Sequence, residues 1–257
     1  MLLAIDAGNT QTHIGMYDDD QLAEHWRLHT DRDVTVDRIA TELAGLLGLR
    51  GLRLSDINGA IVSSVVPVLS HEYELLSERY LQGQLLMVGP RLKTGMPIRM
   101  DNPHEVGADR LVNALAAYER VGTTCIAVDF GTAVNYDVVS AEGEYLGGVL
   151  APGVEVSLDA LSERAARLFK VDLEAPRSTI GRSTQAALQS GMVYGFAGQV
   201  DGILGRIREE LGEEATAVAT GGHAPIIAPH CDLIDEVDDL LTLTGLRLIW
   251  ERNRPTL

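Results

Sequence analysis

Two short stretches of the chain are near-copies, and in each an apolar run ends in an aspartate–glycine turn with a threonine. They are Ile5–Thr10 and Val128–Ala133, and their aspartates, Asp6 and Asp129, lie about half the chain apart. In such a turn the carboxylate can face a metal ion or its water. Glycine lets backbone N–H groups approach a phosphate, and the threonine hydroxyl adds a donor. Either turn alone resembles many ordinary β-turns. The pair predicts a duplicated unit whose two turns hold a nucleotide from both sides.

Composition and charge narrow the class of partner. The 257 residues carry a net charge of −16, which argues against nucleic acid or an anionic membrane as the main partner. A phosphate ligand stays possible, because backbone N–H groups and a metal ion can supply local positive potential. Cys125 and Cys231 are too few for a disulfide framework, and the apolar run around Cys125 predicts a buried free thiol. No apolar run reaches about 20 residues and no secretory signal is visible, so we expect a cytosolic protein.

Both halves of the chain open with the same order of predicted elements. A meander of three antiparallel strands is followed by helices that alternate with further strands. In the first half the predicted strands are Leu2–Ile5, His13–Tyr17, Leu22–Leu28, Gly59–Val65 and Gln84–Val88, with helices at Thr35–Leu49 and His71–Tyr80. In the second half they are Thr124–Asp129, Asn135–Ser140, Tyr145–Leu150 and Ala215–Thr220, with helices at Val154–Phe169, Ser183–Glu210 and Leu241–Asn253. The pattern predicts two α/β domains, 1–120 and 121–257, packed against each other with a cleft between them.

A third glycine turn follows a strand at Ala219–Gly222, where it could lie against an adenosine. The common alternatives for a nucleotide site are absent. The sequence contains no G-x-x-x-x-G-K-[ST], which excludes a P-loop enzyme. It has no G-x-G-x-x-G after a strand, which argues against a dinucleotide site.

The segment Glu105–Arg110 is the other candidate for chemistry. Asn102 as N-cap with Pro103 after it predicts that a helix begins there and runs to about Gly122. In that helix Glu105, Asp109 and Asn113 would share one face. The plain interpretation is a solvated charged edge. The functional interpretation makes Asp109 a general base and Arg110 an anion-binding group. A like charge nearby or partial burial would make Asp109 a stronger base.

These motifs, in this order, resemble the type III pantothenate kinase family. The resemblance rests on Asp6–Thr10, Gly107–Arg110, Asp129–Ala133 and the glycines of Gly147-Gly148 and Pro152-Gly153, and it runs from residue 1 to about 253. It implies the fold of the acetate and sugar kinase, Hsp70 and actin superfamily: α/β, with two duplicated ribonuclease H-like (actin-like ATPase) domains. Each would be a mixed five-stranded sheet flanked by helices, and the C-terminal domain would carry the dimer interface.

The resemblance also implies an activity. A cytoplasmic homodimer would transfer the γ-phosphoryl group of ATP to pantothenate and give 4'-phosphopantothenate, the first step of coenzyme A biosynthesis. Its cofactors would be Mg²⁺ with ATP and a monovalent cation, K⁺ or NH₄⁺. Its partners would be ATP, pantothenate and a second copy of the chain.

Site residues follow from the resemblance by motif. Asp109 would be catalytic, as the proton acceptor. The implied ATP-binding residues are Asp6, Ala7, Gly8, Asn9, Thr10, Gln11, Thr12, His13 and Thr132. The implied substrate-binding residues are Met100, Gly107, Ala108, Asp109, Arg110 and, reaching over from the partner subunit, Thr184. Asp129 would bind the monovalent cation, and Asp6 would lie near the divalent metal, directly or through water.

Four residues at three places depart from the family pattern. Met100 stands where a tyrosine is usual, Ala165 replaces a threonine, and Val134-Asn135 stand where threonines are common. A lost hydrogen bond that leaves a buried partner unpaired costs about 1–3 kcal/mol, so we expect weaker or altered substrate binding. The departures keep two alternatives open: a catalytically weak paralogue that binds nucleotide in a regulatory role, and a phosphatase or ATPase on the same scaffold.

Overall fold

The computed structural model describes residues 1–89, 92–164 and 171–254. The chain divides into two compact units. The first contains Met1–Met96, Asn102–Ala116 and the C-terminal segment from Thr242, and the second contains Pro97–Asp101 and Ala117–Leu241. This division differs from the predicted one at the C-terminus, because the last helix packs within the first unit.

The first unit is built on a five-stranded mixed sheet. Its strands are β1 (Leu2–Ala7), β2 (Gln11–Asp18), β3 (Gln21–His29), β4 (Gly59–Ser64) and β5 (Gln84–Met87), in the order β3-β2-β1-β4-β5. β1 to β3 form an antiparallel meander, and β4 and β5 add in parallel on the other side of β1. The helices that follow these strands are α1 (Val36–Gly48), α2 (Pro67–Tyr80) and α3 (Ala108–Val121).

One face of this sheet is covered by α1 and α2. The buried positions of α1 are Val36, Ala40, Leu43 and Leu47, which share one helical face and pack in the same cluster as Leu69, Tyr73 and Leu76 of α2. The sheet supplies Ile5, Ile14 and Val62 to this cluster. β1 is buried along most of its length, so Asp6 follows a run of core residues.

The second unit repeats the design. Its strands are β6 (Cys125–Phe130), β7 (Ala133–Val139), β8 (Tyr145–Pro152), β9 (Thr216–Thr220) and β10 (Glu236–Val237), in the order β10-β9-β6-β7-β8. β6 again pairs antiparallel with the next strand and parallel with the strand after the helices. Its helices are α4 (Val154–Arg164), α5 (Thr184–Leu211) and the short α6 (Ala224–Ile227). The duplicated arrangement of mixed five-stranded sheets is as predicted.

The last helix, α7 (Leu241–Asn253), contacts the first sheet. A Cβ at Gly59 of β4 would overlap the ring of Trp250, so the glycine leaves room for this side chain. Leu243 lies against Gly15 of β2. Small residues on the strands therefore fix where α7 packs.

Most predicted elements are present within a few residues of their expected bounds. α2 begins at Pro67, earlier than predicted, and α5 is one continuous helix although five glycines lie within it. The predicted helix at Val154–Phe169 is observed to Arg164, and its remainder, including Ala165, lies outside the described residues. Cys125 is a buried free thiol, which confirms the prediction.

Candidate active site

The first glycine turn closes the hairpin between β1 and β2. The Gly8 N–H donates to the Gln11 carbonyl at 3.0 Å, so this amide is used by the turn itself. Asn9 is exposed at the tip, and its side chain accepts from the guanidinium of Arg32 at 3.1 Å. The turn therefore presents its tip to solvent at the end of a buried strand.

Four polar residues form a row across the same sheet. Ser63, Asp6, His13 and Arg27 are cross-strand neighbours on β4, β1, β2 and β3, and in-register residues share a face. Burial, with smaller contributions from Arg27 and His25, lowers the pKa of His13 to about 4. His13 is therefore neutral at pH 7, and its ring can both donate and accept a hydrogen bond.

Asp6 is the perturbed carboxyl of this row. Burial, together with the charge of Asp109, raises the pKa of Asp6 to about 7, and the hydroxyl of Ser63 partly offsets the rise. Desolvation and a nearby like charge both disfavour the ionised form. Two carboxyl groups of the first unit, Asp6 and Asp109, are therefore close enough to interact, as a site for a cation or for proton transfer requires.

The segment before Asp109 does not form the predicted helix. Asn102 does act as a cap, but of a separate 3-10 turn at Pro103–Glu105, and the chain then breaks before α3. The prediction that Glu105 shares a helix face with Asp109 and Asn113 is wrong. Glu105 instead accepts from the Asn102 amide at 2.8 Å.

Gly107 explains how the break positions Asp109. A Cβ at this glycine would lie 2.5 Å from Oδ1 of Asp109, so no side chain fits without moving the carboxylate. The Gly107 carbonyl accepts from the Leu111 N–H at 3.2 Å and so begins the helical bonding pattern. Asp109 and Arg110 consequently stand in the first turn of α3, both partly buried.

The second glycine turn belongs to the second unit. The Gly131 N–H donates to the Ala133 carbonyl at 3.1 Å, and the Thr132 carbonyl accepts from the Gly153 N–H at 3.1 Å. The loop that precedes α4 is thus tied to the turn.

The third glycine turn also meets the second. β9 runs parallel to β6 with Thr220 in register with Asp129. Gly221 has a φ of 94°, and a Cβ there would overlap Oδ1 of Asp129. Only glycine accepts both constraints. The second and third glycine turns therefore both lie against the carboxylate of Asp129.

Comparison with known proteins identifies the family. A family model described as type III pantothenate kinase matches residues 2–206. The chain belongs to the type III pantothenate kinase family. Members of this family phosphorylate pantothenate with ATP, the first step of coenzyme A biosynthesis, so the chain is an ATP-dependent kinase.

Individual relatives are similar to this chain over the full length. A type III pantothenate kinase from Acidothermus cellulolyticus is 51% identical over 256 residues, which covers 99% of this chain and 100% of that protein. One from Moorella thermoacetica is 49% identical over 253 residues, covering 98% and 100%. The comparisons give no support to a regulatory, non-catalytic paralogue.

Solved structures of lower identity share the fold. Component A of the (R)-2-hydroxyglutaryl-CoA dehydratase of Acidaminococcus fermentans superposes with a TM-score of 0.56 at 14% identity, over 96% of this chain and 95% of that one. The ethanolamine utilization protein EutJ from Carboxydothermus hydrogenoformans gives 0.57 at 13% identity, over 96% and 89%. With the two mixed sheets, these likenesses agree with the predicted duplicated ribonuclease H-like fold, which the structure confirms.

The remaining positions predicted for a type III pantothenate kinase lie at scattered places in the second unit. Met100 is partly buried, and its Cγ lies 3.9 Å from where a Cβ of Gly147 would stand. Thr184 is exposed as the first residue of α5, directly after Ser183, whose hydroxyl accepts from the Ala186 N–H at 3.1 Å.

Two positions that depart from the kinase pattern are both buried. Val134 lies in the core, whereas Asn135 lies opposite Asp129 in the sheet register. Oδ1 of Asn135 is buried and has no hydrogen-bond partner among the described residues.

Residues outside the motifs complete the surroundings of the first turn. Ser63 and Arg27 were not predicted as site residues from the sequence, although the register of the predicted meander could have placed Arg27 beside His13.

Among the described helices, none combines the length and the apolar character needed to cross a membrane.

Proposed function

We propose that Asp109 accepts the proton of the primary hydroxyl of pantothenate during transfer of the γ-phosphoryl group of ATP. In this step the O–H bond breaks, the hydroxyl oxygen forms a bond to phosphorus, ADP leaves and the proton passes to the carboxylate. The observation that carries the proposal is the electrostatic interaction of Asp109 with Asp6 in the first unit. Phosphoryl transfer depends mainly on positioning and charge neutralisation, so a base that takes the proton late is sufficient.

Asp6 is the proposed neighbour of the divalent metal. A carboxyl with a pKa of about 7 is poorly stabilised as an anion by the protein alone, which suits a group completed by a cation. When bound, Mg²⁺ would neutralise charge on the phosphates of ATP. Asp6 would hold that ion directly or through water, while His13, neutral at pH 7, would offer a hydrogen bond.

The first turn, from Asp6 to His13, is the proposed ATP phosphate site. Its tip is exposed, and the hydrogen bond that closes the turn uses the N–H of Gly8, not that of Asn9 at the tip. The side chain of Thr12 is buried, so any part it has in binding is indirect. Thr132 of the second turn is the other proposed ATP contact.

Pantothenate is proposed to bind at the start of α3. Gly107 and Ala108 would contact it through the backbone, and Arg110 would pair with its carboxylate, to which a guanidinium fork is well matched. Met100 would add apolar contact, as methionine fills irregular space well.

A homodimer is proposed, with Thr184 reaching the pantothenate of the partner subunit. Its support is that apolar side chains stay exposed on the second unit. They lie on the edge strand β8 and on α4, at Leu146, Leu150, Val156 and Leu161.

Both cysteines are free, which agrees with the proposed cytoplasmic location.

Asp129 is the proposed ligand of a monovalent cation, K⁺ or NH₄⁺. The residues fit such an ion, since the orphaned Oδ1 of Asn135 lies on the strand opposite Asp129. Oxygen donors of this kind suit a hard cation.

A coupled assay of ADP release tests the mechanism. Wild-type protein should release ADP only with ATP, Mg²⁺ and pantothenate, and more rapidly with K⁺ than without it. Asp109→Asn should lower kcat by about 100-fold or more, while ATP binding measured by calorimetry stays intact. Glu105→Gln is the matched control, because this nearby carboxylate accepts a local hydrogen bond from Asn102, and the kcat of this variant should equal that of wild type. Equal turnover by Asp109→Asn and wild type would overturn the assignment.

A further inference from the structure

Thr30, a residue outside every motif, forms two hydrogen bonds to the first glycine turn. Thr30 follows β3, and its hydroxyl donates to the carbonyl of Gly8 at 2.8 Å. Its backbone N–H donates to the carbonyl of Thr10 at 2.9 Å. One residue therefore holds two carbonyl groups, one on each side of the tip residue Asn9.

A second buried hydroxyl, that of Thr12, supports Thr30 in turn. The hydroxyls of Thr12 and Thr30 lie 2.9 Å apart, and both residues are only 5% exposed. Each hydroxyl has one proton. Since Thr30 gives its proton to the Gly8 carbonyl, it must accept a hydrogen bond from Thr12. Hydrogen bonds in such a chain strengthen one another.

Peptide geometry shows what this support does. In a planar trans peptide the C=O and the next N–H point in opposite directions. Because the carbonyls of Gly8 and Thr10 both point toward Thr30, the N–H groups of Asn9 and Gln11 point away from it. These two amides belong to the turn proposed to hold the phosphates.

We propose that Thr30 is a positioning residue for ATP, which sets the orientation of the Asn9 and Gln11 amides through its two hydrogen bonds to the turn. The inference rests on the proposed role of the first turn in phosphate binding. A hydroxyl is required at this position, and a methyl group of the same shape does not replace it. Without the side-chain bond the Gly8 carbonyl is free to rotate, and the Asn9 amide turns with it.

Two substitutions separate this role from a structural one. Thr30→Val keeps the shape and removes the hydroxyl, whereas Thr30→Ser keeps the hydroxyl. Thr41→Val is the matched control, since the Thr41 hydroxyl also bonds to a carbonyl, that of Asp37 at 2.8 Å, but on the exposed side of α1. All four proteins are assayed well below their melting temperatures, with Mg²⁺ and pantothenate present.

The expected result is a selective loss of ATP affinity. Thr30→Val should raise the KM for ATP about tenfold, the loss expected for one hydrogen bond that leaves its partner unpaired, and leave the KM for pantothenate within about twofold. Thr30→Ser should restore the KM for ATP to within about twofold of wild type, and Thr41→Val should leave it unchanged.

Calorimetric titration with ATP and Mg²⁺ judges the inference independently of turnover. An unchanged Kd for ATP in Thr30→Val would overturn it, as would equal losses in Thr30→Val and Thr30→Ser. Wild-type protein that binds ATP but never consumes pantothenate would instead refute the proposed function, and the Kd comparison would still decide the role of Thr30.

Discussion

Replacing Asp6 by asparagine should make the metal-free protein more stable while abolishing its activity. The carboxyl of Asp6 is buried beside the charge of Asp109, and its pKa rises from 3.8 to about 7. A rise of this size corresponds to about 4 kcal/mol of penalty on the ionised form at neutral pH. Asp6 keeps some contact with solvent, and screening reduces the expected gain from Asp6→Asn to about 2 kcal/mol.

The sign of the effect depends on pH. Below about pH 4 the carboxyl is protonated in both the folded and the unfolded chain, so wild type and variant should melt alike. Between about pH 4 and 7 the unfolded chain releases the proton before the folded chain does, and wild type loses stability as the pH rises. Above the folded pKa of about 7 the full difference is present.

Thermal melting in EDTA at several pH values measures this difference. At pH 8 Asp6→Asn should melt about 5 °C above wild type, and the gap should close toward pH 4. Asp18→Asn, the same change at an exposed position of β2, should show no such trend. Adding Mg²⁺ and ATP should raise the melting temperature of wild type more than that of Asp6→Asn. Identical melting of wild type and Asp6→Asn at pH 8 would refute the assigned environment of Asp6.

Three further predictions follow from close contacts and from one departure from the family pattern. Gly107→Ala should lower kcat about tenfold or more with little change in melting temperature, because its Cβ displaces the carboxylate of Asp109; steady-state kinetics and melting check this together. Gly221→Ala should weaken activation by K⁺, since its Cβ overlaps Oδ1 of Asp129, and a K⁺ titration of the rate that matches wild type would contradict it. Met100→Tyr should lower the KM for pantothenate about fivefold by restoring a hydroxyl, within the usual strength of one hydrogen bond; an unchanged KM would count against a pocket position for Met100.

Local sequence signals located most of the elements because their causes are local. Alternation and apolar runs marked the strands of both sheets, and the helical period of α1 places its buried residues on one side. The Asn102 cap was a true signal too, since its side chain accepts from the His104 N–H at 3.3 Å. A cap reports where helical bonding begins and says nothing of how far it extends. The cap is therefore followed by one 3-10 turn, and the helix α3 begins only after Gly107.

The proton affinity of Asp6 and the support beneath the first turn depend on distant residues. Burial raises the pKa of Asp6, and the charge of Asp109, which is more than 100 positions away in the sequence, raises it further. Thr30 reaches the turn because β3 pairs with β2, which leaves its hydroxyl below Gly8. No motif marks Thr30, and the motif that contains Asp6 carries no information on the pKa of its carboxyl.

The sequence by itself determined the duplicated strand order, the three glycine turns and the family, because each is written in contiguous residues or in repeated patterns. Only the tertiary structure decided that α7 packs on the first sheet, that Gly221 closes over Asp129 and that Asp6 and Asp109 interact. These outcomes depend on which residues the folded chain brings together, and steric fit and desolvation act only at that stage.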